Sequence, residues 1–194
     1  MKRICLSDIH IPFHDPKAIR VALKVVADQK PDAVDLLGDI MDCYNISKFD
    51  TDPARKKSLQ EEIDKTKAFL EALREVAPKA EIIYSEGNHE DRLRKYKQRT
   101  AKDIACLRDL TVQKLLGLDN YSISYRDYKH PYRVEGLWFF HGDSIRQACG
   151  ATALTHAGKV GGSVIVGHSH RLGVVRETTW RGETLGAENG CLCI

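Results

Sequence analysis

Five short apolar runs in this chain each end in residues able to bind a metal ion, and most of those endings carry glycine. They read Ile4-Cys5-Leu6-Ser7-Asp8-Ile9-His10, Val34-Asp35-Leu36-Leu37-Gly38-Asp39, Ile82-Ile83-Tyr84-Ser85-Glu86-Gly87-Asn88-His89-Glu90, Leu137-Trp138-Phe139-Phe140-His141-Gly142-Asp143 and Val164-Ile165-Val166-Gly167-His168-Ser169-His170. Buried parallel strands look like such runs, because both faces of their sheet are covered. Open α/β sheets bind ligands just beyond the carboxyl ends of their strands. A sheet edge of that kind gathers the five endings into one pocket rich in Asp, Asn and His. The chemistry implied is that of a metal centre.

Singly, the motifs are weak. Asp8-Ile9-His10 sets two donors on alternate residues, which share a face on an extended strand end, yet Asp-x-His is often only a turn. In Gly38-Asp39 the glycine lets the backbone turn sharply and aim a carboxylate, although Gly-Asp turns are common. Gly87-Asn88-His89-Glu90-Asp91 is sharper, with four consecutive polar side chains behind an apolar strand. Gly167-His168-Ser169-His170 points two imidazoles one way, and read alone a surface histidine pair stays open. Together they take five of the eight histidines (10, 89, 141, 168 and 170). His14, His130 and His156 are expected at the surface or in local hydrogen bonds.

The elements that must carry these endings alternate between strand and helix, the pattern of an α/β layered domain. Asp15-Pro16 supplies an N-cap and an N1 proline for a helix with Ile19, Ala22, Leu23 and Val26 at helical spacing, stopped by Pro31. A second helix is expected from about Pro53 to Ala77, and a third stretch after Glu90, broken near Thr100 and capped at Gly117. Beyond it, 121–126, 132–135 and 137–140 read as strands, 151–159 as a short helix, and the tail from Gly173 as a hairpin turning at Arg181-Gly182. With 194 residues, 42% of them hydrophobic, one domain over 1–194 is expected, with its strand-rich second half forming a second sheet. No segment is apolar enough to cross a membrane, and Met1-Lys2-Arg3 leads straight into a strand rather than a signal peptide. The six cysteines form no CxxC pair, and Cys191-Leu192-Cys193 stands at the end of the sequence, so reduced thiols and a cytoplasmic location are expected. The net charge of +3 permits a phosphate-bearing partner without requiring one.

The ordered set Asp8-x-His10, Gly38-Asp39-x-x-Asp42, Gly87-Asn88-His89-Glu90, His141-Gly142-Asp143 and Gly167-His168-Ser169-His170 resembles the calcineurin-like metallophosphoesterase superfamily, all five blocks in family order. The resemblance implies an α/β sandwich of two mixed β-sheets flanked by helices, with a dinuclear site at the strand ends. By motif position it assigns Asp8, His10 and His170 to one metal, Asn88, His141 and His168 to the other, and Asp39 to both. His89 would assist the leaving group and Asp42 would orient it. The cofactors implied are two divalent ions, manganese first, with iron, zinc, nickel or cobalt as alternatives. Their shared, activated water would hydrolyse a phosphate ester directly.

Departures from the pattern bear on substrate. Protein phosphatases of the superfamily carry arginine after the second aspartate of Gly-Asp-x-x-Asp, where this chain has Cys43. Arg92 is the candidate to replace that grip. A phosphodiester is therefore expected, on a nucleotide or a nucleic acid; a phosphomonoesterase is the alternative, and a non-catalytic scaffold of the same fold a further one. The run Arg92, Arg94, Lys95, Lys97, Arg99 and Lys102, extended by Arg55-Lys56-Lys57, reads either as a solvated helix face or as a rail for a phosphate backbone. No feature demands an obligate protein partner or a membrane.

Overall fold

The structure, a computed structural model, describes every residue except Lys56, Lys57, Lys129 and Arg181, and omits the side chain of Arg55. Among the described residues the strands form two sheets. The first runs β1 (Arg3–Leu6), β2 (Ala33–Leu37), β3 (Glu81–Ser85), β4 (Ile123–Arg126), all parallel. The second comprises β5 (Tyr132–Val134), β6 (Leu137–Phe140), β7 (Val164–Val166), β8 (Leu172–Thr179) and β9 (Gly182–Asn189), in the order β5-β6-β7-β9-β8. Its three central strands are parallel and its two edges antiparallel. The expected α/β architecture of two sheets flanked by helices is present, with the mixed pairing confined to the second sheet. Physically, β5–β6 and β8–β9 are joined by tight turns that only antiparallel strands allow, whereas β1 to β4 are linked by long helical crossovers.

Alternation along each strand decides what lies on either face. In β2, Val34 and Leu36 join the core shared with the helices, whereas Leu37, with Ile83 of β3, meets Tyr132 and Phe139 of the second sheet. Asp35 is buried on that inner face, where Arg3 grips it at 2.6 and 2.9 Å and the Tyr132 hydroxyl donates to it, so the charge is paired rather than stranded. Behind the second sheet, α5 (Ala151–Val160) packs Ala153 and Ala157 on Val164 and Val166.

The helices follow their sequence signals with instructive shifts. α1 (Pro16–Gln29) opens on Asp15, whose carboxylate accepts the Lys17 amide. α2 (Leu59–Val76) begins later than Pro53 because Ser58 and Glu61 close a capping box, each side chain accepting the other's backbone N–H, while Pro53–Arg55 forms a 3₁₀ turn. α3 (Asp91–Arg99) and α4 (Val112–Leu116) end at Thr100 and Gly117 as expected. Tyr121 closes a 3₁₀ turn instead of opening β4. The β8–β9 hairpin pairs Thr179 with Gly182, and Arg181 of the expected turn lies outside the described residues. Of the three ordinary histidines, His130 is exposed beside Asp127, but His156 is buried in α5 edge-on to Phe140, and the buried Nδ1 of His14 has no partner among the described residues. No described helix is long and apolar enough to cross a membrane.

Candidate metal centre

β1, β2 and β3 end together at one edge of the first sheet, and parallel pairing continues into the loops beyond. The Asp8 N–H donates to the Gly38 carbonyl at 3.0 Å, His10 to Asp39 at 2.9 Å and Ile11 to Ile40 at 2.9 Å. That pairing lays Asp8 and His10 alongside Asp39. From the second sheet, His141 follows β6 directly, and His168 and His170 follow β7. The Asp8 carboxylate links the two sheets by accepting the His168 N–H at 3.0 and 3.1 Å.

The backbone is strained where these side chains are aimed. Among the described residues nine non-glycines have positive φ, and five are Asp8, His10, Asp39, His168 and His170. A left-handed conformation costs such residues about 1–2 kcal/mol each. Clustering of that cost at one edge marks a functional constraint rather than a folding convenience.

The donor atoms converge in two groups. His10 Nε2 lies 3.1 Å from His170 Nε2, which in turn lies 3.3 Å from Asp8 Oδ1. On the other side, His141 Nε2 lies 3.1 Å from Asn88 Oδ1 and 3.2 Å from Asp39 Oδ2, and the His168 ring stands edge-on to His141 with centroids 5.0 Å apart. Asp39 Oδ2 is also 3.8 Å from His10 Nε2, so it stands between the groups. Atoms bound at about 2.1 Å to one ion, at right angles, are about 3 Å apart. The observed spacings fit. Two further observations agree: Asp8 and Asp39 are buried, and among the described residues neither carboxylate is paired with Lys or Arg. Buried carboxylates that face imidazoles rather than permanent cations are apt ligands for a metal ion. The oxygen–imidazole mixture suits manganese, iron, zinc, nickel or cobalt.

The carboxylates and imidazoles of the cluster shift one another's protonation. Burial pushes the Asp39 carboxyl up, but His141, His89 and His10 around it more than reverse that and hold it well below the usual carboxylate range. Burial would likewise lower His141, yet the Asp39 charge and hydrogen bond carry it up to about 9. Asp42 is raised by burial and then held well below its ordinary value by hydrogen bonds with His10 and His89.

Asp42 does more than the sequence suggested. Its Oδ2 meets His10 Nδ1 at 2.9 Å as well as His89 Nδ1 at 3.2 Å, and its carbonyl oxygen lies 2.9 Å from His89 Nδ1. His89 turns Nε2 towards the cluster, 3.9 Å from Asp39 Oδ2. Arg92 reaches the same place: one guanidinium nitrogen donates to the Asp42 carbonyl at 2.9 Å and the other sits 2.9 Å from His89 Nε2. All ten residues singled out in the sequence thus meet at one edge.

Two features escaped sequence reading. Glu90 is fully buried, and its carboxylate accepts the backbone N–H groups of Gly87, Asp39, Ile40 and Met41 and the Tyr84 hydroxyl, all at 2.8–3.0 Å. It ties the loop after β3 to the loop after β2. Gly87, in turn, is needed for space rather than for φ: a Cβ there would lie 2.1 Å from Asp39 Oδ1, the oxygen that accepts the His89 N–H.

The sequence matches the family model described as calcineurin-like phosphoesterase over residues 1–172. The chain belongs to that family. It is accordingly a phosphoesterase, a hydrolase of phosphoric ester bonds, and the family's enzymes carry a dinuclear metal site. Among curated proteins the chain is similar to the Gene 54 protein of Mycobacterium phage D29, 28% identical over 186 residues (91% of this chain, 71% of the relative). The Gene 54 protein of Mycobacterium phage L5 is also 28% identical, over 184 residues (90% of this chain, 71% of the relative). Among solved structures, YfcE, a phosphoesterase from E. coli, shares the fold with a TM-score of 0.50 at 20% identity, covering 100% of this chain and 81% of that one.

Proposed function

We propose that this phosphoesterase is a two-metal phosphodiesterase acting on nucleotide or nucleic-acid diesters. Asp8, His10 and His170 would hold one ion, Asn88, His141 and His168 the other, with Asp39 shared, and manganese is the first candidate for the pair. When bound, such ions neutralise phosphate charge and bring the pKa of a water close to neutral. The chain's own groups supply the rest. Arg92 reaches the cleft from α3 and would grip a phosphoryl oxygen, releasing Nε2 of His89 to carry a proton to the departing oxygen, while Asp42 holds the opposite side of that ring.

The observation that carries the diester reading is the charge of the cleft. It is a cavity of about 380 Å³, and Arg92 is its one lysine or arginine among the described lining residues. Cys43, at the position where protein phosphatases place arginine, is fully buried. A single guanidinium suits a monoanionic diester better than a dianionic monoester. Phe13, Tyr44 and Phe49 line the same cavity and offer apolar surface to a nucleoside or other aromatic ester group. The basic run gives a continuous phosphate rail little support: Arg94 and Lys95 are paired with Asp91, and Lys97 donates to the Leu110 carbonyl. Its suggested extension at Lys56 and Lys57 lies outside the described residues, as does the Arg55 side chain. The scatter of the six cysteines, without a CxxC pair, favours a reducing, cytoplasmic setting.

The test is hydrolysis of bis-aryl and mono-aryl phosphates by protein stripped with a chelator and reloaded with Mn²⁺. The diester should be preferred, and only after reloading. Preference for the monoester would overturn the substrate class, and turnover indifferent to chelation would overturn the metal centre.

A further inference from the structure

Two histidines of the cluster share one arrangement. His10 points Nε2 at the other donors and rests Nδ1 against Asp42 Oδ2 at 2.9 Å; His141 points Nε2 at Asp39 and Asn88 and rests Nδ1 against the Leu37 carbonyl at 2.8 Å. Metal-binding imidazoles need such an outer acceptor, because it fixes which nitrogen carries the proton and frees the other for the ion. His170 has the same inner geometry, with Nε2 3.1 Å from His10 Nε2 and 3.3 Å from Asp8 Oδ1. Among the described residues its Nδ1 makes no hydrogen bond to a carboxylate or a carbonyl. Among the described residues its recorded partner is the sulfur of Cys193, 3.7 Å away.

Cys193 is brought there by the backbone. The Leu192 N–H donates to the Asp8 carbonyl at 3.0 Å, the Asp15 N–H to the Leu192 carbonyl at 2.9 Å, and the Ile194 N–H to the Phe13 carbonyl at 3.0 Å, with His14 and Cys193 bridged antiparallel. One end of the segment is thus anchored on Asp8 itself. The Gly190 N–H donates to the Arg171 carbonyl at 2.8 Å, tying the approach to the residue after His170. The sulfur also lies within 4.8 Å of a His10 ring nitrogen, at the rim of the cleft rather than beyond it.

We propose that Cys193 is the positioning residue of His170: its sulfur accepts the Nδ1–H and so presents Nε2 to the ion that Asp8 and His10 would share. The inference rests on the two-metal reading for the presence of that ion. His10 and His141 lean on a carboxylate and a backbone carbonyl, whereas His170 leans on a partly exposed thiol, so retention of the ion beside Asp8 should depend on the state of that cysteine.

Nitrogen-15 NMR of the imidazoles in metal-free protein, with Mn²⁺ titration of the same samples, tests this. Wild-type His170 should show the Nδ1–H tautomer, and Cys193→Ala should lose that preference and weaken binding of one Mn²⁺ by about 10–100-fold. Cys193→Ser, whose hydroxyl can also accept, should recover much of both, and Cys106→Ala, an exposed thiol on the Asp103 carbonyl, should change neither. Equal tautomer and affinity in wild type and Cys193→Ala would overturn the proposal while leaving the two-metal reading intact. Failure of the wild type to bind Mn²⁺ at all would overturn both. With Co²⁺ as probe, a sulfur-to-metal charge-transfer band lost in Cys193→Ala would also overturn it, by making the thiol a ligand.

Discussion

The carboxylate of Glu90 accepts the backbone N–H of Asp39 at 3.0 Å, and the same oxygen accepts the N–H of Gly87 at 2.8 Å. Two loops that follow different strands are thereby fixed by one buried side chain, and the groups at stake are Asp39, the carboxylate proposed to serve both ions, and the Asn88–His89 pair. In Glu90→Gln an amide N–H₂ would face backbone donors that now share the carboxylate. Each buried donor left unpaired costs about 1–3 kcal/mol. The variant should lose about 3 kcal/mol, a fall of about 6–12 °C in Tm for a chain of this size, and should bind Mn²⁺ poorly. Calorimetry on metal-free protein checks it; a Tm within about 2 °C of wild type would remove Glu90 from this role.

His89 and Asp42 are expected to separate in their effects. His89 Nε2 stands 3.9 Å from Asp39 Oδ2 and is taken up by Arg92 at 2.9 Å, so His89→Ala should keep its metal and lose about 10²–10⁴-fold in kcat. Asp42 supports His10 as well as His89, so Asp42→Ala should lose turnover and also weaken Mn²⁺ binding by about 10–100-fold. Equilibrium dialysis beside steady-state kinetics distinguishes the two. Loss of metal in His89→Ala would make it a ligand and not a proton carrier.

Why some of this was legible and some not follows from where the information sits. Ligand-type side chains at strand ends are local signals: an apolar run, then Asp or His, with glycine adjacent in three of four cases, and each of Asp8, Asp39, His141 and His168 could be read within a few residues of its strand. The parallel first sheet brings such endings together whatever the helices between them do. Glu90 could not be read so, because its donors come from Asp39 to Met41, Tyr84 and Gly87, and no spacing rule links a buried acid to amides some fifty residues away. Cys193 was hidden for the same reason: only the docking of Leu192 and Ile194 on the loop after β1 places its sulfur at His170. The start of α2 was misplaced because Pro53 is an apt first helical residue, and the reciprocal Ser58–Glu61 box outweighed it.

Glu62, on the inner face of α2, sets a pH dependence of stability. One of its oxygens accepts the Tyr44 N–H at 3.2 Å and the other is buried without a partner among the described residues. Burial, and after it the Asp42 charge, pushes the Glu62 carboxyl up to about 7 from 4.5. The folded state then holds a proton that the unfolded state releases between those values, so stability falls as pH rises through the window. The loss should amount to about 2–3 kcal/mol by pH 8. Glu62→Gln should therefore gain on wild type at pH 8 and not at pH 4, measured by urea unfolding of chelator-treated protein so that metal release does not enter. The same difference at both pH values would refute the assignment.

Two glycines with ordinary φ make opposite predictions. A methyl group at Gly87 would meet Asp39 Oδ1 at 2.1 Å, the backbone nitrogen of Asp39 at 2.5 Å and the Asp39 carboxyl carbon at 2.8 Å. Nothing there can yield without moving the Asp39 carboxylate, because Asp39 is buried and its amide is held by Glu90. Gly87→Ala should therefore cost about 1–3 kcal/mol by overpacking and abolish detectable binding of the metal pair. Gly158 lies within α5, where a Cβ would meet nothing within 4 Å. Gly158→Ala should stabilise the fold by about 0.4–1 kcal/mol, because the unfolded chain loses conformations that the helix never used. Its kcat and metal content should match wild type. Thermal unfolding and metal analysis of the two variants side by side decide the matter: a Gly87→Ala protein with full metal content would show that Asp39 need not stand where the structure places it.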